Sequence, residues 1–212
     1  MIFFLSDNRF TVDPSHKPKI LICIPAFNEA NSIAEIITKS KQYGDEVIVY
    51  DDGSSDETYQ VATSAGATVI RNPQNKGYGV AIRSLFQVGK DKDADIMVTL
   101  DSDGQHNPDQ IPDVLTPIKQ GYDLVVGSRY LRRDDKVKVP RLRSLGIRTI
   151  TKLTQSASYR GITDSQSGFR AYSKAALTTI NLFEDGMSVS TEILLRASEK
   201  KLSIIEVPIT IN

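Results

Sequence analysis

Short apolar runs alternate along the chain with longer stretches in which apolar residues recur at helical spacing. The runs are rich in β-branched residues and predict six strands, at positions 19–24, 46–50, 67–70, 95–100, 123–126 and 203–207. Helices are predicted between them, around positions 33–37, 58–65, 80–88, 111–118 and 193–197. Strands that are apolar at nearly every position are typical of sheets covered on both faces. We therefore expect an α/β fold with a mostly parallel central sheet flanked by helices.

A chain of 212 residues is long enough for one domain with a sizeable core. Positions 1–18 contain two prolines and no clear period, so we expect an N-terminal arm there and a single domain over 19–212. The basic stretch 129–148 is the main shift in composition. It predicts a loop or crossover within that domain and not a linker.

Charge and cysteine content exclude several classes of protein. Lys and Arg total 26, as do Asp and Glu, and this balance argues against a dedicated nucleic-acid binder. One cysteine and two histidines exclude an internal disulfide and metal sites rich in Cys or His. The apolar run at the N-terminus is too short for a signal peptide, and no run predicts a membrane-spanning helix. We expect a cytoplasmic protein, with peripheral contact to the cytoplasmic face of a membrane left as an open question.

Charged residues follow four of the predicted strands, five acids after three of them and one arginine after the fourth: Glu29, Asp51, Asp52, Asp101, Asp103 and Arg129. Ligands of open α/β sheets bind beyond the carboxyl ends of the strands, so these side chains are expected at one edge of the sheet. So many carboxylates would repel one another unless a cation or a cationic partner lies among them.

The sequence Asp101-Ser102-Asp103 is the strongest candidate metal site. Two carboxylates two residues apart, at the end of a buried strand, can direct oxygens at one Mg²⁺ or Mn²⁺ ion, with phosphate oxygens completing the shell. The alternative is an Asp-rich turn that caps the next helix. Similar Asp-x-Asp spacings at 91–93 and 93–95 precede a strand, among lysines, and are better explained as a solvated loop.

Two further turns carry candidate ligand contacts. Adjacent acids at Asp51 and Asp52 cannot both cap one helix, so one of them is expected to accept hydrogen bonds from a nucleobase or a ribose. The sequence Lys76-Gly77-Tyr78-Gly79 is either an anion-binding turn or a plain helix start.

The second half of the chain is rich in arginine. Most of these arginines are expected on a solvated surface, but Arg129 and Arg170 occupy motif-like positions from which they could bind a phosphate. Cys23 lies within the first strand and is expected in the core. The chain contains no Gly-x-Ser-x-Gly sequence, which argues against a serine hydrolase.

The order of these motifs is similar to that of family 2 glycosyltransferases, and within them to the polyprenyl-phosphate branch that includes dolichyl-phosphate mannose synthase. The similarity covers about residues 19 to 209 and rests on the strings IPAFNEANSI (24–33), DDGSSDET (51–58), NKGYG (75–79), DSDGQHNP (101–108), VVGSR (125–129), DSQSGFRAYSK (164–174), STEIL (190–194) and EVPI (206–209). The resemblance implies a Rossmann-like GT-A fold, a nucleotide-sugar donor, a divalent metal (Mg or Mn) and inverting transfer.

By matching position, the resemblance also implies roles for individual residues. The residues implied to bind the nucleoside are Pro25, Phe27, Asn28, Glu29 and Asp52. Those implied to hold the metal and the diphosphate are Asp101, Asp103 and Gln105. Those implied to lie around the phosphates of donor or acceptor are Lys76, with the neighbouring Gly77, Arg129 and Arg170.

The resemblance leaves the substrates open. A UDP-sugar is favoured as donor, with GDP-mannose as runner-up, and the favoured acceptor is a polyprenyl phosphate at a membrane surface, which needs no strong general base. A glycan or protein hydroxyl acceptor would need one, and Glu192 or Asp164 would be the candidates. A nucleotide-sugar binding module without turnover and a nucleotidyltransferase are further alternatives. The sequence does not determine the oligomeric state.

Overall fold

The computed structural model describes residues 17–131 and 162–211, which form one α/β layer structure. Its strands are β1 (Ile20–Ala26), β2 (Glu46–Asp51), β3 (Thr68–Arg71), β4 (Ile96–Thr99), β5 (Leu124–Ser128), β6 (Arg170–Ser173) and β7 (Ile204–Pro208). Its helices are α1 (Ile33–Ser40), α2 (Thr58–Ser64), α3 (Tyr78–Asp91), α4 (Ile111–Lys119), α5 (Lys174–Thr179) and α6 (Val189–Glu199), and a 3₁₀ turn at Pro108–Gln110 precedes α4.

The strands form a single sheet in the order β3-β2-β1-β4-β6-β5-β7. Strands β1, β2, β3 and β4 pair in parallel, as do β5 and β7, whereas β6 is antiparallel to both β4 and β5. The predicted mostly parallel sheet is therefore confirmed, but β6 was not predicted. Its sequence, Arg-Ala-Tyr-Ser, contains no β-branched residue and directly follows a polar loop.

The core lies in two layers, one on each face of the sheet. Alternate residues of β1 separate between them: Leu21 and Cys23 pack toward α3, α5 and α6, and Ile22 and Ile24 pack toward α1, α2 and α4. All four side chains are fully buried, which explains why the strand is apolar at every position. The core position expected for Cys23 is confirmed.

Some expectations fall on parts of the chain that the structure does not describe. The N-terminal arm lies outside the described residues except for positions 17 and 18, and the basic stretch lies outside them beyond position 131. Within the described ranges, no helix has the length and apolar character needed to cross a membrane.

Arg170, at the start of β6, is almost completely buried and holds three segments together. Its Nε donates to the carbonyl of Ser167 at 2.8 Å, Nη2 to that of Ser165 at 2.8 Å, and Nη1 to that of Ser190 at 2.9 Å. The predicted phosphate contact is therefore replaced by a structural role, because the guanidinium is directed at backbone carbonyls inside the protein.

We predict that Arg170→Lys lowers the free energy of unfolding by about 2–4 kcal/mol, because an ammonium group cannot reach three divergent carbonyls and leaves buried acceptors unpaired. Chemical denaturation measures the change, with the half-exposed Arg196→Lys as the matched control. A loss no greater than that of the control would contradict the assigned role.

Candidate active site

A cavity of about 540 Å³ opens at the carboxyl ends of β1, β2, β4 and β5. It lies where the switch-point rule for α/β sheets places a ligand, and its volume is typical of a small-molecule site. The predicted site residues that line it are Pro25, Phe27, Glu29, Asp52, Gly77, Asp101, Asp103, Gln105 and Arg129. Those that do not line it are Asn28, Lys76, Asp164, Arg170 and Glu192.

Two carboxylates after β4 face this cavity. The side chain of Asp101 is about one-third exposed, at 32%, whereas Asp103 is exposed. Asp103 Oδ1 accepts a hydrogen bond from the amide of Gln105 at 2.9 Å, which fixes the turn. Burial and the nearby Asp103 carboxylate raise the pKa of Asp101 above its usual value, although His106 opposes the shift. A divalent cation between these two residues would relieve the repulsion between them.

The walls around Asp101 are close-fitting. The hydroxyl of Tyr78 lies 3.3 Å from Asp101 Oδ1, and burial raises the pKa of this phenol well above its usual value, so it stays a neutral donor. A Cβ atom at Gly168 would overlap the Asp101 carboxylate, so glycine at this position leaves room for that side chain where it is observed. His106 is buried and its Nδ1 accepts from the Asp101 amide at 3.3 Å, so it supports the turn and does not line the cavity.

The loop after β1 forms a second wall. Phe27 is 44% exposed and its ring borders the cavity beside Glu29, where it offers a flat apolar surface to a ligand. Burial, together with Asp103, raises the pKa of the Glu29 carboxyl. Asn28 adopts a positive φ of 57°, and its Oδ1 accepts from the amide of Ser55 at 2.8 Å. Asn28 therefore joins the loops after β1 and β2 instead of lining the cavity.

Asp52 lines the cavity, and its carboxylate also accepts hydrogen bonds from the chain. It accepts hydrogen bonds from the amides of Lys76 and Gly77, the shortest at 2.7 Å, and from the side chain of Asn72 at 3.0 Å. The neighbouring Asp51 pairs with Arg71 at 3.2 Å. Asp51 is fully buried and does not line the cavity. Asp52 holds the 75–79 turn against the cavity, and its expected contact with a nucleobase or a ribose stays a prediction.

Arg129 reaches the cavity from the end of β5 and is paired with a buried carboxylate. Its Nε and Nη2 donate to the two oxygens of Asp164 at 2.7 and 2.8 Å, and its backbone amide donates to the same side chain at 3.2 Å. Burial opposes the charged guanidinium, but Asp164 raises the pKa of Arg129, so the cation is maintained. Asp164 is fully buried and orients Arg129, a position that does not suit the base role considered for it.

Glu192, the other base considered, also serves the chain itself. Its carboxylate accepts from the amides of Phe183 and Glu184 at 3.0 Å and lies 3.5 Å from Arg196. It thereby clamps the loop before α6, and this loop carries the exposed Met187 to the cavity.

Sequence reasoning did not single out several residues that line the cavity, namely Ala26, Asn75, Tyr78, Ala81, Ser102, Gln166 and Met187. Tyr78 and Gln166 lie inside motifs already recognised, so their polar side chains next to the key residues were a usable signal. Met187 lies in a segment without any motif, and no feature of the sequence indicated it.

Comparison with known proteins agrees with this geometry. The model of the family "Glycosyl transferase family 2" matches residues 21–180. A UDP-N-acetylglucosamine–dolichyl-phosphate N-acetylglucosaminyltransferase of Methanococcus voltae is 33% identical over 90% of this chain and 84% of its own length. A dolichol-phosphate mannosyltransferase of Pyrococcus furiosus is 30% identical over 91% of this chain, which spans 56% of that longer protein.

A solved structure has the same fold. Glucosyl-3-phosphoglycerate synthase from Mycobacterium tuberculosis, in complex with Mn²⁺, UDP and glucosyl-3-phosphoglycerate, superposes with a TM-score of 0.67 at 25% identity, over 91% of this chain and 70% of that one. The GT-A fold and the enzyme class implied by the motifs are thus confirmed. The chain belongs to glycosyl transferase family 2, in the branch of the polyprenyl-phosphate sugar transferases.

Proposed function

We propose that this protein transfers a sugar from a nucleotide-sugar to the phosphate group of a polyprenyl phosphate. The favoured donor is a UDP-sugar, with GDP-mannose as the second candidate. The transfer inverts the configuration at the anomeric carbon and uses Mg²⁺ or Mn²⁺. The observation that carries the proposal is the meeting of Asp101, Asp103 and Arg129 at one cavity. It combines oxygen ligands for a cation with a fixed cation for a phosphate.

The residues present fit a hard divalent ion. Asp101 and Asp103 supply carboxylate oxygens. Within the described ranges no cluster of three or more His, Cys, Asp or Glu side chains could hold a metal ion, so the protein itself offers two carboxylate ligands here. Two protein carboxylates suit Mg²⁺ or Mn²⁺, which keep water and substrate phosphates as further ligands. When bound, such an ion supplies Lewis-acid stabilisation of the charge that grows on the departing diphosphate.

The donor is expected to lie along the wall formed by Pro25, Phe27 and Glu29, with its diphosphate toward Asp101 and Asp103. The exposed Phe27 ring can pack against a nucleobase, and Glu29 can accept from a ribose hydroxyl. Preference for UDP is supported by the Methanococcus relative, named for UDP-N-acetylglucosamine, and by the UDP in the Mycobacterium structure. The mannosyltransferase name of the Pyrococcus relative keeps GDP-mannose as the second candidate.

The acceptor phosphate is already an anion near pH 7, so its oxygen can attack the anomeric carbon without first losing a proton to the protein. The new bond forms between that oxygen and the anomeric carbon while the bond from this carbon to the diphosphate breaks, which inverts the configuration. Arg129 would hold the acceptor phosphate, since its pairing with Asp164 fixes its direction. A lipid acceptor would bring the mouth of the cavity to a membrane surface.

An alternative hydroxyl acceptor has less support. Such an acceptor needs a carboxylate base within hydrogen-bond reach of the attacking oxygen. Asp164 and Glu192 both accept hydrogen bonds from the chain and do not line the cavity. A phosphate acceptor avoids this requirement.

We predict that Asp103→Asn lowers kcat by at least about 100-fold, because loss of one carboxylate ligand removes several kcal/mol of charge stabilisation by the metal. Folding should be unchanged, since Asp103 is exposed. Steady-state transfer assays and thermal unfolding measure both effects, with the exposed Asp113→Asn on α4 as the matched control. If Asp103→Asn kept the activity of the wild type, Asp103 would not be a ligand of a catalytic metal.

The substrates are tested by incubating the protein with Mg²⁺ or Mn²⁺, a polyprenyl phosphate, and labelled UDP-glucose, UDP-N-acetylglucosamine or GDP-mannose. We expect a β-linked glycosyl lipid phosphate from one UDP-sugar, no product from the matching free polyprenol, and release of UDP but not pyrophosphate. Pyrophosphate would indicate a nucleotidyltransferase instead. Donor binding without transfer to any acceptor would indicate a binding module.

A further inference from the structure

We propose that Glu206, on β7 and outside the cavity, is a positioning residue that sets the direction of the Arg129 guanidinium. This inference rests on the proposed function, in which Arg129 binds the acceptor phosphate. Glu206 is a charged residue in an otherwise apolar strand, and it belongs neither to the proposed metal site nor to the wall proposed for the donor. The inference gives this residue a role.

The Glu206 carboxylate accepts hydrogen bonds from two consecutive residues of the loop that follows position 161. Oε2 accepts from the amide and the hydroxyl of Thr163, both at 2.8 Å, and Oε1 accepts from the amide of Asp164 at 2.9 Å. Three donors therefore converge on one anion, which anchors this loop to the edge of the sheet next to β5.

The first connection runs from this anchor to the guanidinium. Glu206 fixes the backbone of Asp164, and the buried Asp164 carboxylate then holds Arg129 through two parallel bonds. Such a fork contact fixes the plane of the guanidinium as well as its position. A shift of the Asp164 backbone would therefore be transmitted to Arg129 in the cavity.

A second connection links Glu206 to the residues that precede and follow Arg129 in the sequence. The amide of Tyr130 donates to the hydroxyl of Ser128 at 3.2 Å, and this hydroxyl lies 2.6 Å from that of Thr163. Because the Thr163 hydroxyl donates its proton to Glu206, Ser128 is the donor between the two hydroxyls. The backbone on each side of Arg129 is thus connected to the same carboxylate.

The three converging donors require an acceptor without a hydrogen of its own. An amide at position 206 would present an NH₂ group to one of these donors, so Glu206→Gln would release either Thr163 or Asp164. Burial raises the pKa of Glu206, and the nearby Asp164 carboxylate adds to the shift, whereas the hydrogen bonds from Thr163 and Asp164 lower it.

A double-mutant cycle tests the proposal, using calorimetric binding of farnesyl phosphate to the full chain in the presence of Mn²⁺ and UDP. We expect Glu206→Gln to weaken binding about 10-fold and Arg129→Ala about 10- to 100-fold, with the double variant no weaker than Arg129→Ala alone. The affinity for UDP should stay within about 2-fold, and the exposed Glu35→Gln is the matched control. Additive losses, or an equal loss of UDP affinity, would overturn the proposal.

A second readout does not depend on the acceptor. The Arg129 Nε–H group donates to Asp164 at 2.7 Å, and a hydrogen bond of this kind slows exchange of the proton with solvent. NMR should therefore show faster exchange of this proton in Glu206→Gln but not in Glu35→Gln. If Glu206→Gln does not fold, Glu206→Asp replaces it: this variant keeps the charge but withdraws it by one methylene, and we expect faster exchange than in the wild type. Unchanged exchange would overturn the positioning role. Failure of the wild type to bind farnesyl phosphate, with faster exchange in Glu206→Gln, would instead overturn the proposed acceptor alone.

Discussion

Negative charge is concentrated at the carboxyl edge of the sheet, and the rest of the site is organised around that constraint. Asp101 and Asp103 share one cavity, and burial together with their mutual repulsion raises the pKa of Asp101. Within the described residues, no lysine or arginine forms an ion pair with either of them. Both carboxylates are therefore available to the divalent cation that we propose.

Three other acids at this edge are held by contacts within the protein. Asp51 pairs with Arg71, Asp52 accepts loop amides, and Asp164 pairs with Arg129. These acids therefore have two different roles, although the sequence alone does not distinguish them. Some carboxylates fix the loops around the cavity and others face it, which is what the proposed binding of a divalent ion and a phosphate requires.

Most of the fold could be predicted from the sequence, because strands buried on both faces are recognisable from their composition and their ends mark the ligand edge. Strand β6 could not, since its four residues have no strand-like pattern and its pairing depends on distant strands. The same limit applies to the site. Arg170 and Glu192 stand in motifs of the right type, yet the direction of each side chain is set by tertiary contacts. Glu206 lay in a recognised string, but only the structure connects it to Arg129.

The dependence of nucleotide affinity on metal tests the central claim most directly. Calorimetric titration of UDP into the wild-type protein and into Asp101→Asn, with and without Mn²⁺, compares a cavity that has both carboxylates with one that lacks the Asp101 carboxylate. We expect Mn²⁺ to strengthen UDP binding to the wild type by at least about 10-fold, and we expect this gain to disappear in Asp101→Asn. Equal UDP affinity with and without Mn²⁺ in the wild type, or an undiminished gain in the variant, would contradict it.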